Sequence, residues 1–82
     1  METKQIEKKV KDILADVLSI DKDKINNESH LVEELGADSF NAVEILYALQ
    51  KEFKIAISKT VLARVNKVQD MIDYLEKQTE KK

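Results

Sequence analysis

Apolar residues recur at helical spacing in three separate stretches of this chain, with no helix-breaking residue inside any of them. Ile6, Val10, Ile13, Leu14, Val17 and Leu18 share one side of a helix over about residues 4–18, with charges between them. Ala42, Ile45, Leu46, Leu49 and Phe53 form a stripe on a second helix, about 39–54. Val68, Met71, Ile72 and Leu75 do the same near the C-terminus. Proline is absent, glycine occurs once and 37% of residues are charged, a composition that points to helices throughout. Thr3 is placed to cap the first helix. Asn66 with Gln69 resembles a capping box for the last.

Lys54-Ile55-Ala56-Ile57 breaks the pattern, and Ser58 is then placed to cap a short helix carrying Val61, Leu62 and Val65. The predicted fold is all-α: a small four-helix bundle of three main helices plus a short third, with a long loop between helices one and two. That loop, from Ser19 to Asp38, is longer than compact domains usually allow without internal structure. Ile20, Ile25, Leu31 and Leu35 are spaced to pin it to the core. Short helical turns are expected near Lys22–Ile25 and His30–Leu35, the second ended by Gly36. Residues 1–82 read as one domain, with a polar tail over about 77–82 that is expected to fray.

Several function classes are disfavoured. There is no cysteine and one histidine, which argues against a disulfide framework and a structural zinc site. No apolar run is long enough to cross a bilayer, and no apolar segment follows the N-terminus as in a signal peptide. The reading is a cytoplasmic monomer, an organelle interior being equally compatible. His30 is the one imidazole available as a base, and Gly36-Ala37-Asp38-Ser39-Phe40 is not a nucleophile elbow. A hydrolase with Ser39 as nucleophile is therefore disfavoured. Glu33, Glu34 and Asp38 lack a calcium-loop pattern, so no metal site is assigned. A net charge of −2 disfavours nucleic-acid binding.

Charge is nevertheless segregated. From Asn26 to Gln50 there are five acids and no lysine or arginine; from Lys51 to Gln69 there are five bases and one acid. Such runs can be solvated faces, or surfaces for partners of opposite sign. Phe40, Val43 and Tyr47 form a second apolar stripe turned away from the core stripe. A surface helix needs one buried stripe, so the second is either a partner surface or covered by the long loop.

Asp38 is a good N-cap, which puts Ser39 in the first turn of helix two. A phosphate attached there would meet converging N–H groups and the positive end of the helix dipole. Taken alone, that signal is equally a plain capping turn.

Leu35-Gly36-Ala37-Asp38-Ser39 resembles the attachment motif of bacterial-type acyl carrier proteins, and Val43-Glu44-Ile45, Ala48-Leu49, Glu52-Phe53 and Ile72-Asp73-Tyr74 follow that family's pattern at matching spacing. The similarity covers essentially the whole chain. It implies that Ser39 receives 4′-phosphopantetheine from coenzyme A, through a phosphopantetheinyl transferase, and that acyl groups ride on the arm as thioesters. It implies delivery to acyl-transferring, condensing or acyl-activating enzymes of fatty-acid or related lipid synthesis. Polyketide, amino-acyl or D-alanyl carriers share the arm and scaffold, and a helical adaptor independent of the arm is the rival of another class. Glu33, Glu34, Asp38, Phe40, Val43, Glu44 and Tyr47 are the expected partner face. Leu35, Ala42, Leu46, Leu49, Ile57, Leu62 and Val65 are the expected acyl pocket.

The chain departs from the family at Phe40, usually leucine, and at Asn41, usually an acid. Lys54, Lys59, Arg64 and Lys67 replace acids around the third helix. The first two put partner choice in question; the basic segment points to a specialised carrier serving a dedicated pathway, or is simply one lineage's basic third helix.

Overall fold

A computed structural model describes residues 2–80. It contains α1 (Thr3–Leu18), a 3₁₀ turn (Lys22–Lys24), α2 (Ser39–Phe53), α3 (Lys59–Arg64) and α4 (Val68–Glu80). This is the small helical bundle that the three apolar periods require. α1 packs against both α2 and α4, and α3 rests on α2.

Each long helix buries the stripe that defines it. Ile6, Val10 and Leu14 of α1 have no exposure, nor do Val68, Ile72 and Leu75 of α4. Ile45, Leu46, Leu49 and Phe53 are the buried residues of α2. Ala42 is only half-buried, because it lies beside a cavity described below. Fully burying such aliphatic side chains stabilises by about 1.5–3 kcal/mol each, so the shared core is what makes three short helices stand together.

The caps differ from the sequence expectation at two places. Glu2, not Thr3, is the N-cap of α1, its carbonyl accepting from the N–H groups of Gln5 and Ile6. The Thr3 hydroxyl instead donates to the Glu76 carboxylate on α4. At α4 the carboxylate of Asp70 reaches back to accept the N–H groups of Asn66 at 3.2 Å and Lys67 at 3.0 Å. Asp70 thus takes the part assigned to Gln69, whose side chain is used between Asn27 and Asp73. The expected cap at Ser58 is present: its Oγ accepts the N–H of Val61 at 3.2 Å. α4 continues to Glu80 through the segment whose polarity predicts fraying, and 81–82 lie outside the described residues.

The long loop is held by more than its apolar anchors. Ile25 and Leu31 are buried, and Ile20 and Leu35 are partly so. In addition the loop is stitched by backbone hydrogen bonds to the α3–α4 junction. Leu31 N–H donates to Asn66 O at 2.9 Å, Val68 N–H to Ser29 O at 3.1 Å, and Gln69 N–H to Asn27 O at 2.8 Å. His30 and Lys67 form an isolated antiparallel bridge within this seam. The turn that follows ends at Gly36, whose N–H donates to Val32 O and whose φ of 76° is left-handed. That conformation costs an L-residue about 1–2 kcal/mol, so glycine is the economical choice. Ala37 N–H then returns to Leu31 O at 2.9 Å, which aims the chain into α2.

Candidate functional site

Ser39 is the first residue of α2 and is exposed. Asp38 before it is extended, and its carboxylate accepts the Asn41 N–H at 2.8 Å. The Asn41 side-chain oxygen accepts the Asp38 N–H at 3.3 Å in return, completing a reciprocal capping box. The amide of Asn41 also donates to Glu44 at 3.4 Å. The residue that departs from the family pattern therefore does structural work at the foot of α2.

The N–H groups of Ser39 and Phe40 have no intrahelical acceptor, as at any helix start. Together with the dipole of a helix of 15 residues they offer a favourable seat for an anion on the Ser39 hydroxyl. The residues present thus fit a phosphodiester there: an accessible hydroxyl, unused donors and a fixed turn.

Around Ser39 the structure gathers most of the expected partner face. Phe40 is 72% exposed, Tyr47 67% and Val43 38%, so the loop does not cover the second stripe. Glu33, Asp38 and Glu44 are exposed. Glu34 is exposed but occupied, its carboxylate accepting the His30 N–H at 2.7 Å. His30 in turn accepts the Glu33 N–H on Nδ1 at 3.2 Å. The His30 ring thus acts as a turn-capping group. Val32, 61% exposed, extends the apolar face, and sequence spacing gave no sign of it because it lies in a turn without periodicity.

A cavity of about 220 Å³ opens beside this foot, lined by Val32, Ala37, Asp38, Ala42 and Ile45 and, across from them, Ala63, Val65 and Met71. A crevice of only about 10 Å³ lies further along α2, lined by Leu49, Ile57, Val61, Val65 and Met71 among others. Val65 and Met71 border both spaces and so stand between them. Of the expected acyl-pocket residues, Ala42 and Val65 line the cavity, and Leu49, Ile57 and Val65 line the crevice. Leu35 and Leu46 line neither. Leu46 is packed in the core and Leu35 lies against it. The side chain of Leu62 lies outside the described residues.

The basic stretch is split by the fold. Lys67 pairs with Glu28 at 3.0 Å, and Arg64 lines a groove with Asp70 and Asp73. Lys51, Lys54 and Lys59 are exposed and form no ion pair among the described residues. No cluster of three or more potential metal ligands occurs among the described residues, and no described helix is long and apolar enough to cross a membrane.

Residues 8–75 match the family model described as a phosphopantetheine attachment site. The acyl carrier protein of Buchnera aphidicola from Acyrthosiphon pisum is 40% identical over 79 residues, covering 96% of this chain and 99% of that one. That of Clostridium acetobutylicum is 43% identical over 72 residues, covering 88% and 94%. The chain belongs to the acyl carrier protein family. Acyl carrier proteins bear 4′-phosphopantetheine as their prosthetic group. The match runs from Lys8, within α1, to Leu75 in α4, and so includes α2 and Ser39.

Proposed function

We propose that this chain carries acyl groups on a phosphopantetheine arm attached at Ser39 and presents them to enzymes of fatty-acid or related lipid synthesis. The observation that carries the reading is Ser39 itself: exposed, first in α2, with unused backbone donors and a capped turn behind it. When bound, the arm supplies a flexible thiol that holds an acyl group as a thioester. The chain's own residues do the rest. The N-terminal amides of α2 favour the negative phosphodiester, Asp38 and Asn41 fix the turn, and Phe40, Val43 and Tyr47 offer apolar surface to a docking enzyme.

On this reading the chain is a substrate and shuttle with no catalysis of its own, acting in the cytoplasm as a monomer. The lone imidazole supports this, since the Nδ1 of His30 is engaged by the Glu33 N–H. Ala42 and Val65 at the cavity, and Leu49 and Ile57 at the crevice, are the proposed shelter for the acyl chain. A site that binds benzene in an engineered protein core measures about 150 Å³, so a cavity of about 220 Å³ suits a short acyl chain.

The test is intact mass after incubation with coenzyme A, Mg²⁺ and a phosphopantetheinyl transferase. The expected result is one added phosphopantetheine on the wild type and none on Ser39→Ala. The exposed apolar stripe also suits an arm-independent adaptor. That reading requires Ser39→Ala to retain its partner and all function, whereas a carrier loses function completely.

A further inference from the structure

Phe40, Val43, Glu44, Tyr47 and Lys51 are spaced by three and four residues, so they lie along one outward face of α2. All five are exposed. The face changes sign along its length. Asp38 and Glu44 flank Phe40 and Val43 at the Ser39 end, Tyr47 lies midway, and Lys51 and Lys54 mark the far end. Lys59 continues the basic end onto α3. It lies one turn before Ala63, which faces the cavity beside Asp38 and Ala42, so Lys59 is on the side of α3 turned toward α2.

Among the described residues no acid pairs with the basic end. Glu52, the one acid among residues 51–69, is tied to Lys9 of α1. Lys51 and Lys54 suit the negative end of the α2 dipole, but Lys59 is on another element and has no such explanation. At 1.5 Å per residue the axis rises about 10 Å from Glu44 to Lys51 and about 24 Å from Asp38 to Lys54. Both exceed the Debye length of roughly 8 Å in physiological salt, so a partner meets two separate patches, not a cancelled average.

We propose that the enzyme served by this carrier has a two-signed docking groove: basic residues opposite Asp38 and Glu44, an apolar floor for Phe40 and Tyr47, and acidic residues opposite Lys51, Lys54 and Lys59. This rests on the carrier reading. A uniformly basic groove is repelled by half of this surface, so the basic end selects among partners that the arm alone cannot distinguish.

The probe is a carbon–carbon condensing enzyme whose carrier groove is basic throughout, together with a version in which the two groove cations facing the far end of α2 are replaced by Glu. Both are assayed with the loaded wild type and with a K51E/K59E carrier; Lys54 is left unchanged because it holds a left-handed cap. The expected result is that the wild type gains at least about fivefold in kcat/KM on the acidic-ended groove, that K51E/K59E loses by a similar factor there and gains on the basic groove, and that both effects shrink as salt shortens the screening length. Intact mass before each assay reports loading. A chain that acquires no arm at Ser39 overturns the carrier reading and this proposal with it. A loaded wild type that gains nothing from the acidic-ended groove overturns the proposal alone.

Discussion

Asp38 and Asn41 hold each other's backbone N–H groups, at 2.8 Å for the bond into Asp38 and 3.3 Å for the return. The pair closes the first turn of α2 around Ser39. Asn41→Ala removes the return bond and leaves the Asp38 N–H to water, at an expected cost of about 0.5–1 kcal/mol. Asn41→Asp keeps an acceptor in the same place and gains from the helix dipole, so its urea midpoint should stay near that of the wild type. Equal loss in both variants would mean that the amide acts through its bond to Glu44 and not through the box.

Acid should release the cap of α4. The backbone N–H groups of Lys67 and then Asn66 hold the Asp70 carboxyl below its ordinary range. A depressed folded-state value contributes stability that is fully present above the ordinary carboxylate pKa, about 4, and that is lost as pH falls through the depressed value. Asp70→Asn should therefore cost about 0.3–1 kcal/mol at neutral pH, where the carboxylate charge faces the start of α4, and progressively less at an acid pH that protonates the wild-type carboxyl. Urea midpoints of the two proteins at both pH values check this. A gap that persists in acid would assign the effect to shape and not to charge.

Two left-handed residues should respond in opposite directions. Gly36 has φ 76°, and a Cβ there would meet nothing within 4 Å, so Gly36→Ala costs backbone strain alone, about 1 kcal/mol. Ser19 ends α1 with φ 56° and already bears that strain. Ser19→Gly should relieve it and, after the added freedom of the unfolded chain, gain about 0.5 kcal/mol. Thermal unfolding of both variants reads the two signs directly.

The periodic parts of the fold were legible because one stripe per helix decides them: Ile6, Val10 and Leu14, or Val68, Ile72 and Leu75, have no other arrangement that hides them together. The place of Ser39 at the start of α2 was legible because Asp38 before it is a good N-cap. The seam joining Asn27, Ser29 and Leu31 to Asn66, Val68 and Gln69 was not, since backbone pairing between loops leaves no side-chain period. For the same reason the cavity took Val32, Ala37 and Ala63, which no stripe marks, in place of Leu35 and Leu46, which the core claimed. The basic stretch looked uniform in sequence. Only the fold shows that Lys67 is paired with Glu28 while Lys51, Lys54 and Lys59 form no ion pair among the described residues.

The cavity beside Ser39 should set how acyl length is felt by the whole domain. Burying about six methylenes at about 0.8 kcal/mol each gives at most about 5 kcal/mol, large against the roughly 4–12 kcal/mol expected for a domain of this size. The melting temperature of the acylated protein should therefore climb with chain length by roughly 10 °C or more and then level off once the cavity is full. Ala42→Leu fills the space from within, so it should flatten that climb. Val65→Ala opens the partition toward the crevice by Leu49 and Ile57, so it should lower the melting temperature of the unacylated protein yet shift the plateau to longer chains. Melting curves across an acyl series for the three proteins test this. An unaltered climb in Ala42→Leu would place the acyl chain outside this cavity.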